Sequence, residues 1–436
     1  MQKKILKLTI LVNVALLFFC GGVASCSKTE KEYKLQKEDI KVEAPADGWT
    51  AKVGQALKIE VRSLSDQGLS YQWLAEGKVI AQTKNLDYTF DQIGKYNVQL
   101  NVRQAQVTFD YNFVVQVVGG QVDPPGPSAS AYITKVLDFM PAVGQYTNVL
   151  PLYEAGDTQA TMKAKVLRSI GNNNKGMISL GGFGGYVVVG FDHTILNVAG
   201  QRDFRVAGNA FDSGINPDPN APQGGSCEAG VIQVAYDVNK NGLPDDNEWY
   251  EIAGSAHQDP TKELWYAKAL AAKNDVNTYF NYEITYYRPK QEPTTQNDKL
   301  TYIRWDDNQK HSGYKVKNPF YAQSYFPQWI AGDKITFKGT CLPQNGIDES
   351  GEGNYFVLYK FSYGYADNEI NSKDESAIDI DWAVNDKGQK VHLPGVDFIK
   401  IYTGVNQEDG WLGECSTEIT NIEDLHILGV NIATRK

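Results

Sequence analysis

Cysteine, histidine and methionine are scarce in this chain of 436 residues, at 5, 5 and 4 positions. Cys20 and Cys26 lie near the amino terminus, so the later chain holds only Cys227, Cys341 and Cys415. Three thiols allow at most one bridge, which excludes a disulfide-built scaffold. His193, His257, His311, His392 and His426 are scattered without H-E-x-x-H spacing, and nothing points to a zinc hydrolase. There is no G-x-S-x-G elbow, and no cysteine sits in a nucleophile motif. Repeats of fixed period are lacking too, which disfavours a propeller or solenoid. Basic clusters are absent from the later chain and the formal charge is −10, so phosphate backbones are repelled and nucleic acid is not an expected partner.

What is present begins at the first residue. Lys3, Lys4 and Lys7 precede an apolar run from Leu8 to Phe19, too short to span a bilayer, and Val23-Ala24-Ser25-Cys26 follows. Small residues before a cysteine read as a lipoprotein signal, with residues 1–25 removed and the Cys26 thiol lipidated. An ordinary secretory signal or an interfacial helix with a chance cysteine is the alternative. Removal of three lysines and no acids takes the formal charge from −10 to −13. Residues 26–39 are polar and charge-rich, which predicts a tether. The reading is an outer-membrane lipoprotein, anchored by its lipid and facing the exterior. About 410 residues remain after cleavage, more than one core of ordinary size, which predicts two domains.

Residues 40–118 alternate in short apolar runs, such as Leu57, Ile59, Val61 and Tyr96, Val98, Leu100, Val102, and predict antiparallel strands. Residues 119–130, with Asp123-Pro124-Pro125-Gly126-Pro127, predict a stiff linker. The segment 131–436 carries strand-type stretches at Tyr186–Gly190, Val231–Tyr236, Lys334–Phe337, Tyr355–Tyr359 and Phe398–Tyr402. Its best helical candidate is Thr261–Ala272. The expected fold class is all-β: an immunoglobulin-like sandwich, then a larger jelly-roll-type sandwich with an inserted aromatic-rich region.

Asp237 to Glu248 fits the twelve-position pattern D-x-[DN]-x-[DN]-G-x5-E. Asp237, Asn239, Asn241, the Leu243 carbonyl, Asp245 and Glu248 supply the six oxygens that Ca²⁺ requires, and Gly242 the sharp turn. Strand-type flanks predict that this loop joins two strands. A polar hairpin that binds nothing is the alternative; bound Ca²⁺ would be structural and weak, with Kd on the order of 10⁻⁴ to 10⁻³ M. Gly181 to Gly185 precedes a strand-type run instead of a helix, so it predicts a bend or a close backbone approach and no phosphate loop.

Aromatic residues crowd the segment from Trp265 to Trp329, beside Arg304, Asp306, Asp307, Asn308 and Gln309. Flat rings next to polar groups suit a ligand with apolar faces and hydrogen-bonding edges, such as a sugar or a corrin. Most of these rings belong in a core; Trp305, Tyr314 and Trp329, next to turn-forming or polar residues, are the expected ligand contacts. The pairs Asp379/Asp381 and Asp245/Asp246 give no persuasive acid and base, and no enzyme activity is expected.

Two resemblances add to this reading. Tyr71-Gln72-Trp73, Gly77, Leu86-Asp87-Tyr88-Thr89-Phe90 and Gly94-Lys95-Tyr96 resemble PKD-like domains, which implies a buried tryptophan between two sheets and the role of a stalk. The stretches Gly181–Asp192, Asp203–Val206, Glu228–Val231, Tyr363–Asn368, Val396–Lys400 and Gly413–Ile419 resemble PKD-containing surface lipoproteins of the Bacteroidota. That resemblance implies capture of a small-molecule nutrient at the outer membrane, a corrinoid of the vitamin B12 type, beside a TonB-dependent receptor. A glycan-binding or glycan-cleaving surface protein is the alternative. Asp192-His193 does not match D-x-H-x-x-G, so histidine ligation of a corrinoid cobalt is not expected.

Overall fold

A computed structural model describes residues 33–45, 48–213, 218 and 220–434. The signal and Cys26 lie outside them. The described chain is all-β, built from open sheets stacked as sandwiches, with short helices between them.

The amino-terminal unit has a five-stranded sheet in the order Trp49–Lys52, Val107–Val118, Gly94–Gln104, Leu69–Ala75, Lys78–Ala81. Its partners are antiparallel except for the first pair, which is parallel. The period of two places Val98, Leu100 and Val102 inside. Trp73 is fully buried, and its indole N–H donates to the Thr83 carbonyl at 3.1 Å. Two small ladders accompany the sheet, Ala56–Ile59 with Leu86–Thr89 and Ile40–Val42 with Val61–Ser63. The alternating run Leu57, Ile59, Val61 is therefore two strands, since the chain leaves one ladder for the other at Glu60. The tether's end is part of this unit: Leu35 is buried, and its N–H donates to Gln104 Oε1.

The carboxy-terminal unit is organised on a six-stranded antiparallel sheet. Its order is Lys135–Met140, Tyr186–Leu196, Gly395–Thr403, Gly230–Ala235, Trp249–Ile252, Ala383–Val384. Val187, Val188 and Val189 are all buried, as expected for a strand covered on both faces. A helix, Gln159–Ile170, packs beside the first strand. Thr158 caps it by accepting the Thr161 N–H, and Met162, Val166 and Ile170 form its buried stripe. The expected helix at Thr261–Ala272 is shorter: a 3₁₀ turn at Pro260–Lys262, then a helix at Tyr266–Ala271.

Much of the aromatic segment forms a four-stranded sheet, Ser312–Lys315, Ile303–Asp307, Tyr279–Tyr287, Lys334–Cys341. It shares a core with Phe183, Trp265, Tyr286, Tyr325 and Tyr402. Gly181 to Gly185 is the close approach that makes this packing work. A side chain at Gly184 would meet Phe337 Cβ at 2.3 Å, and one at Gly185 the Leu180 carbonyl at 1.9 Å.

The units touch through side chains of the Asp237–Glu248 region. Tyr250 Oη accepts the Ile93 N–H at 2.9 Å, Asn247 donates to the Asp91 carbonyl, and Gln92 donates to the Asn247 carbonyl. Lys387 pairs with Glu76 at 2.8 Å on the same side.

Candidate functional site

The residues singled out by sequence fall in three places. Trp305 and Tyr314 sit on adjacent strands and line one cavity of about 450 Å³, together with Asp307, His311, Lys315 and Glu408. Tyr314 is 45% exposed there. Trp329 is elsewhere: its ring stacks between Phe139 and Tyr153, and its N–H donates to Gln159. That contact holds the Gln159–Ile170 helix to the sheet.

The Asp237–Glu248 loop joins two antiparallel strands of the central sheet. Asp237 accepts the N–H groups of Asn241 and Gly242, and Asn239 and Asn241 both donate to Asp245. Leu243 donates its N–H to Asn241 Oδ1. Glu248 is buried and accepts from the N–H groups of Val238 and Asp245, closing the loop. The six predicted oxygens lie on this one turn, and the side-chain oxygens among them accept hydrogen bonds from the loop itself; among the described residues Asp237, Asp245 and Glu248 do not form a close carboxylate group.

All five histidines pair with carboxylates, His193 with Asp192 and Asp424, His257 with Glu251, His311 with Asp307, His392 with Asp381 and His426 with Asp203. Asp379 and Asp381 do not share a strand face. Ile380–Trp382 is a 3₁₀ turn that Asp379 caps, while Asp381 accepts from Asn197 and pairs with His392. The three described cysteines are buried and unpaired.

A second cavity, of about 520 Å³, combines features that the sequence does not bring together. Its rim carries Phe320, 77% exposed, and Trp411, 54% exposed, with Tyr321 and Tyr146 joined by a hydroxyl bond of 2.7 Å. Its floor carries Glu228, Glu418, Glu414 and Asp409, with Gln145, Asn209, Ser226 and Ser416 between them. Beneath the floor, Asp367 approaches Glu228 and Glu418 so closely that one oxygen of each lies within 4.8 Å of the others.

Apart from Asp409, whose two carboxyl oxygens have no hydrogen-bond partner, the acids are held by neutral donors. Asp367 accepts the N–H groups of Asn209, Ala210 and Glu418 at 2.8 to 2.9 Å. Gly208 lacks a side chain because a Cβ there would stand 2.1 Å from Asp367 Oδ1. Glu228 accepts from the Ser416 N–H and the Ser226 hydroxyl, Glu418 from the Ser416 hydroxyl, and Glu414 from the Gln145 N–H. Burial raises all of them: Glu228 to about 7, Glu414 to about 8, and Asp367, Asp409 and Glu418 far above the carboxylate range. Mutual repulsion adds to this at Asp367, Asp409 and Glu418, which all feel Glu228.

In the sequence, Glu228, Asp367, Glu414 and Glu418 stand out only as parts of the stretches that resemble surface lipoproteins. A signal was available in Glu414-Cys415-Ser416-Thr417-Glu418, where two acids flank a cysteine in a run that folds inside. Charged residues are rarely buried without a purpose or a partner.

No protein-family model and no curated protein sequence matches the chain. Solved structures with local likeness include a quinoprotein alcohol dehydrogenase-like protein from Bacteroides thetaiotaomicron, at 12% identity over 48% of this chain, with a TM-score of 0.17. This chain spans 60% of that protein's length. A SusE-like protein matches at 9% identity over 89% of this chain and 97% of its own, with a TM-score of 0.15. A surface glycan-binding protein, SGBP-B, from the mixed-linkage glucan utilization locus of Bacteroides ovatus, solved with a mixed-linkage heptasaccharide, matches at 9% identity. That match covers 84% of this chain and all of the other, with a TM-score of 0.18. Scores this low carry no inference about fold or ligand.

Proposed function

We propose that this chain is a lipid-tethered cell-surface protein that captures a neutral glycan in the Trp411–Phe320 cleft. The observation that carries the proposal is the pairing of two exposed aromatic rings with a floor of carboxyl, amide and hydroxyl groups. Sugar rings present apolar C–H faces to aromatic side chains and hydroxyl edges to acceptors. Among the described residues the lining holds no Lys, Arg or His to pair with an anionic ligand, and its carboxyl, amide and hydroxyl groups suit a neutral one. Capture requires no bond to be broken. Delivery to a TonB-dependent receptor is part of the same proposal and rests on the resemblance in sequence. The Asp237–Glu248 loop is proposed to hold Ca²⁺ as a structural ion, where it would stiffen the contact between the two units.

The test is calorimetric titration of the purified mature chain with a panel of neutral oligosaccharides, with cyanocobalamin titrated in parallel. Saturable glycan binding, lost in Trp411→Ala, is the expected result. Binding of cyanocobalamin without binding of any glycan overturns the reading in favour of corrinoid capture. Release of reducing ends during incubation overturns capture as the sole activity.

A further inference from the structure

We infer that the cavity beside Trp305 is a second ligand site, separate from the Trp411–Phe320 cleft, and that it takes an organic ammonium group of the quaternary, choline type. The cavity, of about 450 Å³, uses the other part of a wall it shares with the cleft. Asn406, Gln407 and Glu408 line it, whereas Asp409, Trp411 and Glu414 line the cleft.

Trp305 is its platform. It pairs with Gly313 on one neighbouring strand and Tyr286 on the other, so the three positions share one face of their sheet. A Cβ on Gly313 would stand 2.9, 3.0 and 3.1 Å from three adjacent indole atoms, Cζ2, Cε2 and Nε1. Near-equal distances of this kind mean that the ring lies flat over the neighbouring strand, which it can do only because residue 313 has no side chain. The same ring lines the cavity. An aromatic face attracts a cation, and tryptophan does so best.

The charges of the wall agree in sign. Asp275, Asp307 and Glu408 line it against Lys273 and Lys315, and His311 is paired with Asp307 at 3.1 Å. The wall already stabilises one ammonium: Lys315 is only 3% exposed, with its Nζ 2.6 Å from Glu408. Burial opposes that charge, yet Glu408 and then Tyr286 outweigh it and raise the lysine above its ordinary value.

The hydrogen bonds select the kind of cation. Asp275 already accepts from Asn277 and Tyr279, and Asp307 from Tyr282, Gln309 and His311. These acids offer negative charge with little capacity left for new donors. A quaternary ammonium has no N–H to place, and its methyl groups suit an indole face.

Choline chloride is titrated by calorimetry into the purified mature chain, with its uncharged isostere dimethylbutanol in parallel. Saturable choline binding is expected, with Kd on the order of 10⁻³ M, and none of the alcohol. Trp305→Ala is expected to weaken choline binding by about tenfold. Lys273→Gln, which removes an exposed positive charge from the lining, is expected to strengthen it by about twofold. Trp411→Ala is expected to leave it unchanged, which separates this site from the glycan cleft. Absence of saturable choline binding overturns the inference, as do equal binding of the alcohol, weakening by Lys273→Gln and loss in Trp411→Ala. Lys273→Gln decides alone if Trp305→Ala fails to fold. Flotation with phosphatidylcholine vesicles distinguishes the sources. Recovery with the vesicles, competed by choline, identifies a lipid headgroup; choline binding without recovery identifies a soluble ligand, and both uphold the site.

Discussion

Glu414 offers the sharpest test of the buried floor. It is buried beside Gln145, and burial followed by the charge of Glu408 pushes its carboxyl up to about 8. In the unfolded chain the same group titrates near 4.5. Between these values the native protein holds a proton that the unfolded chain has released, so stability falls as pH rises through the interval and levels off above it. Each tenfold change in proton affinity is worth about 1.4 kcal/mol, so the full loss is on the order of 5 kcal/mol. At about 2–4 °C per kcal/mol this is roughly 10 °C in melting temperature. The assay is thermal melting in chelator from about pH 5 to about pH 9, on the wild type and on Glu414→Gln, which keeps the acceptor for the Gln145 N–H. His193 and His426 are also raised, the first by bonds to Asp424 and Asp192 against burial, the second by Asp203. Their contribution has the same sign, present at low pH and lost as pH rises, and it persists in the variant. The expected outcome is a shallower decline in Glu414→Gln. Equal declines in both proteins refute the reasoning.

Three further outcomes are expected. Trp411→Ala should weaken glycan affinity by about tenfold, the scale of one lost aromatic contact, while Tyr314→Ala in the other cavity leaves it unchanged; calorimetry distinguishes them. Val166→Ala removes buried volume between the Gln159–Ile170 helix and the sheet and should cost about 1–3 kcal/mol in denaturant unfolding. Tyr250→Phe leaves the Ile93 N–H buried without its acceptor at the contact between the units, and should cost about 1–2 kcal/mol, read as faster proteolysis between them.

The architecture was legible where a local pattern had one meaning. Alternation at Tyr96, Val98, Leu100 and Val102 could only be a half-buried strand, and the Gly181–Gly185 run before Tyr186 could only be a backbone approach once a helix was excluded. The Asp237–Glu248 turn was visible because twelve consecutive residues supply it. The Gln159–Ile170 helix is faint in the sequence although Thr158 and the Met162, Val166, Ile170 spacing announce it, because the large buried residues form a narrow stripe among polar and small side chains. Trp305, Tyr314 and Trp329 were indistinguishable as sequence, each an aromatic beside polar neighbours. The fold sends the first two to one cavity and stacks the third on Phe139.

By itself, the order of residues determined what short segments can decide: strands, the twelve-residue turn, the lack of a disulfide framework, and the net negative charge. Only tertiary structure decided where the acids meet. Glu228, Asp367 and Glu418 come from parts of the chain more than a hundred residues apart at the extremes, and only Glu418, in its run around Cys415, carries a local mark. Their neighbourhood is made by strands pairing across that distance, and electrostatic repulsion depends on separation in space, which no spacing along the chain records.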